Sequence, residues 1–237
     1  PDNWEVIHVD EAVTPVDFSL QVSLVGITFH TPSAFHVYEI AEQFHKRGIP
    51  VVLGGPHVTL MPDEAQEHAD VIFVGEAEEQ WAQFLKDFET GQHKQRYTSI
   101  VPPSLENAPM ARKDLYHRRD YTAGRLFATR GCAYDCDFCA LAVMYQRKVR
   151  KRPVEAVAAE YASFAGKVII FWDDNLANDR KYAKSLFRAI EPYKKWWSSQ
   201  ASIQAGKDAE FLELAAQSGC KQLFIGLESI SQSSMNE

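Results

Sequence analysis

The chain has 237 residues and a formal net charge of −7, and 46% of its residues are hydrophobic. This content is ample for packed cores and indicates either one large globular domain or two ordinary ones. The negative charge argues against a surface built to attract nucleic acid or anionic lipid, and a small-molecule substrate fits it better.

The sequence carries no signal for membrane insertion or export. No stretch approaches the roughly 18 consecutive apolar residues of a spanning helix, and the N-terminus lacks the layout of a signal peptide. Three of the four cysteines fall within eight residues, a distribution typical of ligands and not of a disulfide framework. We therefore expect a cytoplasmic protein without a transmembrane segment. Because the chain starts at Pro1 without a methionine, we expect a fragment of a longer protein.

Short β-rich runs alternate with helical stretches through about residue 90, the pattern of a parallel sheet with helices on its faces. Apolar residues recur at helical spacing from 34 to 45, and Gly48 follows where a C-terminal cap belongs. Pro62 fits the first turn of another helix. The predicted strands are residues 5–9, 24–29, 50–53 and 71–74.

Periodicity fades over residues 91–124, where prolines and a charged run at 112–120 indicate a connecting segment. A second alternating series then predicts the first part of a (β/α) barrel. We predict an α/β protein with an N-terminal Rossmann-like domain over 1–90, a linker over 91–124 and a partial barrel over 125–237. The predicted barrel elements are strands 126–129, 168–172, 196–200 and 222–227, and helices 153–165, 180–190 and 208–217.

Three cysteines, Cys132, Cys136 and Cys139, lie on one loop directly after the first predicted barrel strand. Active sites of such barrels form at the carboxyl ends of the strands. Three thiolates can bind three irons of a [4Fe-4S] cluster and leave the fourth iron open. The alternative is a structural zinc site, which normally needs a fourth Cys or His. No Cys or His follows Cys139 until Cys220, which reads better as a small apolar residue than as a ligand.

This Cys-x3-Cys-x2-Cys spacing, with Phe138 before the last cysteine, closely resembles the signature of the radical S-adenosylmethionine (SAM) superfamily. The resemblance implies that the open iron chelates the amino and carboxylate groups of SAM. It also implies that one electron from the cluster cleaves SAM to a 5'-deoxyadenosyl radical, while the protein orients the cofactors and excludes water. An electron donor such as a flavodoxin or ferredoxin is implied as a partner.

The resemblance extends over residues 125–237 and implies SAM contacts at the ends of the later barrel strands. Asp173 and Asp174 stand where the superfamily contacts the SAM amino group, although Trp-Asp-Asp replaces a Gly-Gly-Glu motif there. The alternative is that Asp173, Asp174 or Asn178 only caps the next helix. Glu228 follows an apolar strand, where a carboxylate needs a polar partner. The other candidates for this cofactor site are Phe138, Gln200, Ser202 and Ser229. The basic run at 147–152 is typical of a solvated face.

Three N-terminal runs, at residues 25–33, 52–57 and 74–76, resemble the Rossmann-like cobalamin (B12)-binding domain. In that domain the loops at the carboxyl edge of the sheet enclose the nucleotide tail of cobalamin, as open α/β sheets generally bind ligands. The paired glycines would let the backbone approach the tail closely. The tail contacts implied by the resemblance are Thr28, Gly54, Gly55 and Glu76.

Two histidines near this edge, His30 and His57, are poor candidates for a cobalt ligand, because a loop histidine is more often exposed or hydrogen-bonded. The alternative for the whole domain is a retained fold that no longer binds cobalamin, since fold alone does not establish function.

The resemblance thus implies a cobalamin-dependent radical SAM enzyme that acts on a small-molecule substrate, with a hydrophobic molecule as one candidate. Two chemistries stay open: methylation of an unactivated carbon, and cyclisation, rearrangement or oxidation without methyl transfer. A hypothesis of another class is a non-catalytic cobalamin-binding sensor whose cysteine loop holds zinc or a redox cluster.

Overall fold

The computed structural model describes residues 3–115 and 121–231. By its internal contacts the chain separates into two compact units, Pro1–Pro103 and Ser104–Glu237. This division falls inside the segment that the sequence predicts as a connection. In the described part of the chain, no helix is both long enough and apolar enough to cross a membrane.

The first unit is built on a four-stranded parallel sheet whose strands follow chain order. Its elements are β1 (Val25–Thr28), α1 (Ala34–His45), β2 (Val51–Gly54), α2 (Pro56–Leu60), α3 (Pro62–Gln66), β3 (Val71–Val74), α4 (Trp81–Glu89) and β4 (Arg96–Thr98). Alternate residues of β2 enter two different apolar clusters, Leu53 the one with α1 and Val52 the one with α4. Because β2 is buried on both faces, it consists of aliphatic residues and a glycine.

Most predicted elements of this unit are confirmed, and two predictions fail. The segment 5–9 is not a strand: it is mostly exposed and has no pairing partner among the described residues. β4 lies in the predicted connecting segment and pairs in parallel with β3. It has only three residues, of which Tyr97 alone is buried, so its sequence carries too short a pattern to predict a strand.

The second unit consists of a parallel sheet, a separate antiparallel strand pair and four α-helices among its described residues. The elements are β5 (Gly124–Leu126), β6 (Thr129–Arg130), α5 (Ala140–Tyr145), β7 (Arg150–Lys151), α6 (Val154–Ser163), β8 (Val168–Phe171), α7 (Arg180–Ile190), β9 (Trp196–Gln200), α8 (Ala209–Gln217) and β10 (Cys220–Phe224). The parallel sheet has the order β10-β9-β8-β5, and β6 pairs with β7. Helices α6, α7 and α8 pack on one side of the sheet around an apolar cluster that includes Tyr161, Phe187, Trp197 and Phe211.

The predicted strand–helix series of this unit is confirmed, with shifts at two strands. The strand predicted over 126–129 is divided between β5 and β6, because residues 128 and 129 direct their amides to a side chain instead of a neighbouring strand. β10 begins two residues earlier than predicted and ends at Phe224, so Glu228 lies on a turn and not directly at the strand end.

Candidate functional site

The cysteine loop leaves β6 and ends where α5 begins. Gly131 opens it at a φ of 93°, and a side chain at this position would collide with the carbonyl of Lys148. Only glycine adopts this conformation in so little space. At the other end, the Cys139 N–H donates to the Cys136 carbonyl at 3.0 Å in a turn that leads into α5. The loop therefore depends on a glycine directly before its first cysteine.

The three thiols share one electrostatic environment. Burial raises the pKa of the Cys136 thiol, and the negative charges of Cys139, Cys132, Glu228 and Asp137 raise it further. Charges interact in this way only when they lie near one another. The structure thus brings Glu228 to the same site as the thiols, and a bound cation would remove their mutual repulsion.

The thiol donors fit a [4Fe-4S] cluster better than a zinc ion. Within residues 3–115 and 121–231, no three His, Cys, Asp or Glu side chains are close enough to hold one metal ion. A cluster makes a different demand, because each thiolate binds its own iron. Cys220 starts β10, at the opposite end of the parallel sheet from the loop, and burial raises its pKa. Three thiols on one loop are the donor set that leaves one iron open.

Side chains in the connection between β8 and α7 accept hydrogen bonds from the backbone N–H groups of the segment that leads into the cysteine loop. Asp173 accepts the N–H of Ala128 at 3.0 Å, and it accepts both the N–H and the hydroxyl of Thr129 at 2.6 Å. Asp174 accepts the N–H of Gly131 at 2.7 Å. Hydrogen bonds to an ionised acceptor are the strong ones.

Asn178 continues the same series. Its Oδ1 accepts the Ala133 N–H at 3.3 Å and lies 4.0 Å from the Cys132 sulfur. Its Nδ2 donates to the Asn175 carbonyl at 3.1 Å, which fixes the orientation of the amide. We call Asp173, Asp174 and Asn178 the loop clamp. Within residues 128–133, their side chains accept the backbone N–H groups of 128, 129, 131 and 133.

Asp173, which is predicted to contact SAM, is engaged by the protein itself. Its side chain is fully buried, and its two carboxylate oxygens accept the N–H groups of Ala128 and Thr129. Burial raises the pKa of Asp173 to about 6, against the lowering effect of its hydrogen bonds. The alternative that Asp173, Asp174 or Asn178 caps the next helix is wrong, because Asp179 caps α7 by accepting the Tyr182 N–H at 2.9 Å.

A buried ion pair, which the sequence analysis missed, supports the segment that leads into the cysteine loop. Arg152 and Glu160 are 3% and 2% exposed, and their charged groups lie 2.7 Å apart. Arg152 also donates from its guanidinium to the Phe127 carbonyl, and from its backbone to that of Ala128, each at 2.9 Å. The prediction of a solvated basic run is therefore wrong at Arg152. The signal that was available is Glu160, a charge beside the buried Tyr161 in an apolar helix stripe, which requires a partner.

The ends of β9 and the segment after β10 also meet the cysteine loop. The Ser202 N–H donates to Asn175 Oδ1 at 3.1 Å, and the Tyr134 hydroxyl of the loop lies 3.5 Å from Ser202 Oγ. Glu228 has a φ of 58°, an uncommon conformation for a residue with a side chain. Ser202 thus lies beside the cysteine loop, and the charge of Glu228 contributes to raising the pKa of the Cys136 thiol.

Three further candidates, Gln200, Ser229 and Phe138, are exposed or half-buried. Gln200, the last residue of β9, is exposed and lines a cavity of about 150 Å³ on the inner face of the partial barrel. Ser229 accepts the Ser231 N–H at 3.0 Å in a local turn. Phe138 is 67% exposed on the loop itself. The cavity is lined by Ile170, Phe171, Trp172, Ser198, Ser199, Gln200, Gln222 and Phe224.

In the first unit, the carboxyl ends of the strands form an edge of the kind at which open α/β sheets bind ligands. Thr28 lies opposite Gly54 in the parallel register, and the Phe29 N–H donates to the Gly54 carbonyl at 3.3 Å. Gly55 has a φ of 98°, and a side chain there would meet Thr28 Oγ1 at 2.6 Å and the Phe29 backbone at 2.9 Å. The absent side chain of Gly55 is therefore required by the packing of two loops against each other.

Glu76 follows β3 at the same edge, after Gly75. Gly75 has a φ of 85°, and a side chain there would meet the Ser99 carbonyl after β4 at 2.8 Å. The edge thus offers backbone groups, small residues and the Thr28 hydroxyl, which suits a ligand held by close backbone contact.

His57 is buried, and both of its ring nitrogens lie next to hydroxyl groups of the first unit. It is 3% exposed, its Nε2 lies 3.0 Å from the Tyr38 hydroxyl, and its Nδ1 lies 3.1 Å from Thr31 Oγ1. Both ring nitrogens are therefore engaged within the protein, and His57 ties the loop after β2 to the loop after β1.

The fold and these sites define a class: an open parallel α/β domain with a ligand-type edge, followed by a partial (β/α) barrel with a three-thiol loop. The family comparisons agree. Residues 2–85 match the B12 binding domain, and residues 126–235 match the radical SAM superfamily. The chain therefore carries an N-terminal B12-binding domain followed by a radical SAM domain. This confirms the predicted fold class and cofactor set: a [4Fe-4S] cluster, SAM and cobalamin.

Curated relatives and a solved structure resemble nearly the whole chain. It is 32% identical to a bacteriochlorophyllide d C-8(2)-methyltransferase of Chlorobaculum tepidum, covering 99% of this chain and 56% of that protein. It is 27% identical to the hopanoid C-2 methylase of Rhodopseudomonas palustris, covering 96% and 46%. The radical SAM methyltransferase TsrM of Kitasatospora setae has a similar fold, with a TM-score of 0.73, 18% identity and coverage of 91% and 50%. The chain spans about half the length of the curated relatives it matches.

Proposed function

We propose that the protein containing this chain is a cobalamin-dependent radical SAM methyltransferase that methylates a carbon atom of a small hydrophobic molecule. The observation that carries the proposal is the three-thiol loop at the carboxyl end of a parallel half-barrel, in one chain with a B12-binding domain. Methyl transfer is favoured over cyclisation or oxidation because the two curated relatives are named for methylation.

In this proposal Cys132, Cys136 and Cys139 bind the cluster. The bound cluster would supply the electron that cleaves SAM, and cobalamin would supply the methyl group. The loop clamp holds the thiols at the mouth of the barrel, with the carboxylate of Asp173 buried beneath the approach to the loop. The proposed SAM contacts around this mouth are Phe138, Gln200, Ser202, Glu228 and Ser229.

For cobalamin, the proposed contacts are Thr28, Gly54, Gly55 and Glu76 at the edge of the first unit. Thr28 and Gly54 end two neighbouring strands, so one ligand can reach both. Gly55 keeps the two loops close to each other, and its role is to shape the edge.

The proposed substrate is apolar because the inner face of the partial barrel is apolar. Trp172 and Phe224 are 66% and 64% exposed there, beside a cavity whose polar groups are serines and amides. We further propose a flavodoxin or ferredoxin as electron donor and the cytoplasm as compartment, because three thiols kept for a cluster require reducing conditions.

The test uses the full-length protein, reconstituted anaerobically with iron, sulfide and hydroxocobalamin and then given dithionite and SAM. We expect both 5'-deoxyadenosine and S-adenosylhomocysteine, and neither from Cys136→Ala. Cys220→Ala is the matched control and should form both products. 5'-Deoxyadenosine without S-adenosylhomocysteine would replace methyl transfer by cyclisation or rearrangement. Absence of both products from a protein with a full cluster would indicate the non-catalytic sensor.

A further inference from the structure

We propose that Asp174 is a positioning residue for the cysteine loop, acting as a hydrogen-bond acceptor for the Gly131 N–H and not as a charge on SAM. The inference rests on the proposed function, since it concerns the loop that would bind the cluster. It reassigns a carboxylate whose place after the second barrel strand predicts contact with the SAM amino group.

The first argument is the position of the amide. Gly131 is buried and has a φ of 93°, so its N–H points into the protein at the entry to the loop. A buried N–H without a partner is rare because it has lost its hydrogen bond to water. Asp174 Oδ2 supplies that partner at 2.7 Å. Removing the acceptor would release the residue that directly precedes Cys132.

The second argument is the series to which Asp174 belongs. Asp173 holds the amides of residues 128 and 129, and Asn178 holds the amide of residue 133. Asp174 accepts the N–H of residue 131, which lies between them in the chain. A neutral amide, Asn178, performs the same task at the end of the series, so the task requires an acceptor and not a negative charge.

Two substitutions distinguish the role of Asp174 as a hydrogen-bond acceptor from its role as a negative charge. Asp174→Asn keeps an oxygen that can accept the Gly131 N–H but removes the charge that would attract an ammonium group. Asp174→Ala removes both. Asp179→Asn is the matched control, because Asp179 is a carboxylate of the same connection that caps α7 and pairs with Lys151.

The experiment has one arm without cofactors and one with them, both on the full-length protein. Hydrogen–deuterium exchange of a peptide covering residues 128–133 is measured in the cluster-free protein, with folding checked by circular dichroism. We expect exchange about tenfold faster or more in Asp174→Ala. Exchange should stay within about threefold of wild type in Asp174→Asn and in Asp179→Asn.

In the reconstituted protein, SAM is titrated while the electron paramagnetic resonance of the reduced cluster is recorded. Asp174→Asn should keep the SAM dissociation constant within about twofold of wild type, and Asp174→Ala should change the spectrum of the SAM-free cluster. The proposal is overturned if Asp174→Asn weakens SAM binding about tenfold or more, or if Asp174→Ala leaves exchange unchanged. Should Asp174→Ala fail to fold, Asp174→Asn decides by itself.

The two proposals fail in different ways. If wild-type protein forms neither 5'-deoxyadenosine nor S-adenosylhomocysteine, the proposed function fails. The exchange arm needs no cofactor and no turnover, so it still decides whether Asp174 positions the loop.

Discussion

The two parallel sheets hold the loops at their carboxyl edges by opposite means. In the first unit, the loops after β1 and β2 come together because Gly55 has no side chain, and the atoms nearest to it are the Thr28 hydroxyl and the Phe29 backbone. In the second unit, the cysteine loop is held by the carboxylates of Asp173 and Asp174, one of them fully buried. The first edge is therefore sensitive to added volume, and the second to a change of charge or hydrogen bonding.

The largest effect is expected at the cysteines. Replacing Cys132, Cys136 or Cys139 by Ala should abolish cluster binding, because only these three thiols share the loop. Cys220→Ala should keep the cluster, since Cys220 starts a strand at the far end of the sheet. Iron and sulfide analysis of the reconstituted full-length protein measures both. Loss of the cluster in the Cys220 variant, with retention in a loop variant, would contradict the ligand assignment.

The next effect concerns the buried end of the clamp. At pH 7, where Asp173 is ionised, Asp173→Asn should lower the free energy of unfolding of the second unit by about 2 to 4 kcal/mol, because an amide cannot accept the N–H groups of both Ala128 and Thr129. Urea unfolding followed by tryptophan fluorescence measures it. Thr129→Val, which removes only the hydroxyl donor, should have a smaller effect. Equal stability of Asp173→Asn and wild type would argue against the clamp.

The same carboxylate predicts a pH dependence. Its pKa is raised from 3.8 to about 6 in the folded state, mainly by burial, so between these values the folded protein binds the proton more tightly. The contribution of Asp173 to stability is then fully present below pH 3.8 and is lost as pH rises through 6. The stability difference between wild type and Asp173→Asn should therefore shrink by about 2 to 3 kcal/mol from pH 4 to pH 7. A difference that grows with pH would mean that hydrogen bonding outweighs burial.

A smaller effect is expected for SAM. Glu228→Ala in the full-length protein should keep the cluster and lose about 1.5 to 3 kcal/mol of SAM binding, the range for a hydrogen bond to a charged group. This corresponds to an increase of about ten- to a hundredfold in the dissociation constant. An anaerobic SAM titration read by electron paramagnetic resonance measures it. A wild-type constant would leave Glu228 with a structural role only.

The smallest effect tests the edge of the first unit. Gly55→Ala should destabilise the first unit by about 1 to 2 kcal/mol, because its φ of 98° and the contact with Thr28 both oppose a side chain. Gly54→Ala is the matched control, since its added carbon would lie at an ordinary 3.7 Å from Phe73. Thermal unfolding compares the two variants. A larger bulk at Gly55, such as Trp, is unsuitable for probing cobalamin binding, because it would disturb this packing first.

Sequence patterns predicted the elements that are long and strongly periodic. The residues of α7 and β9 agree with their predicted bounds, because each strand or helix shows a full period of buried and exposed positions. β4 was missed because three residues carry no such period. The strand predicted over 5–9 was wrong because alternating composition does not supply a neighbouring strand. Pairing partners are a property of the folded chain.

The sequence by itself determined the class of the protein, since the spacing of three cysteines on a loop after a strand is a local property of the chain. It also located the glycine-rich edge of the first unit. Only the tertiary structure decided which amides of the loop each of the nearby carboxylates accepts. Asp173 and Asp174 are adjacent and chemically alike, but the amides of a segment more than forty residues earlier engage them differently. Such long-range hydrogen bonds depend on how β5 and β8 pair, and no local pattern encodes that distance.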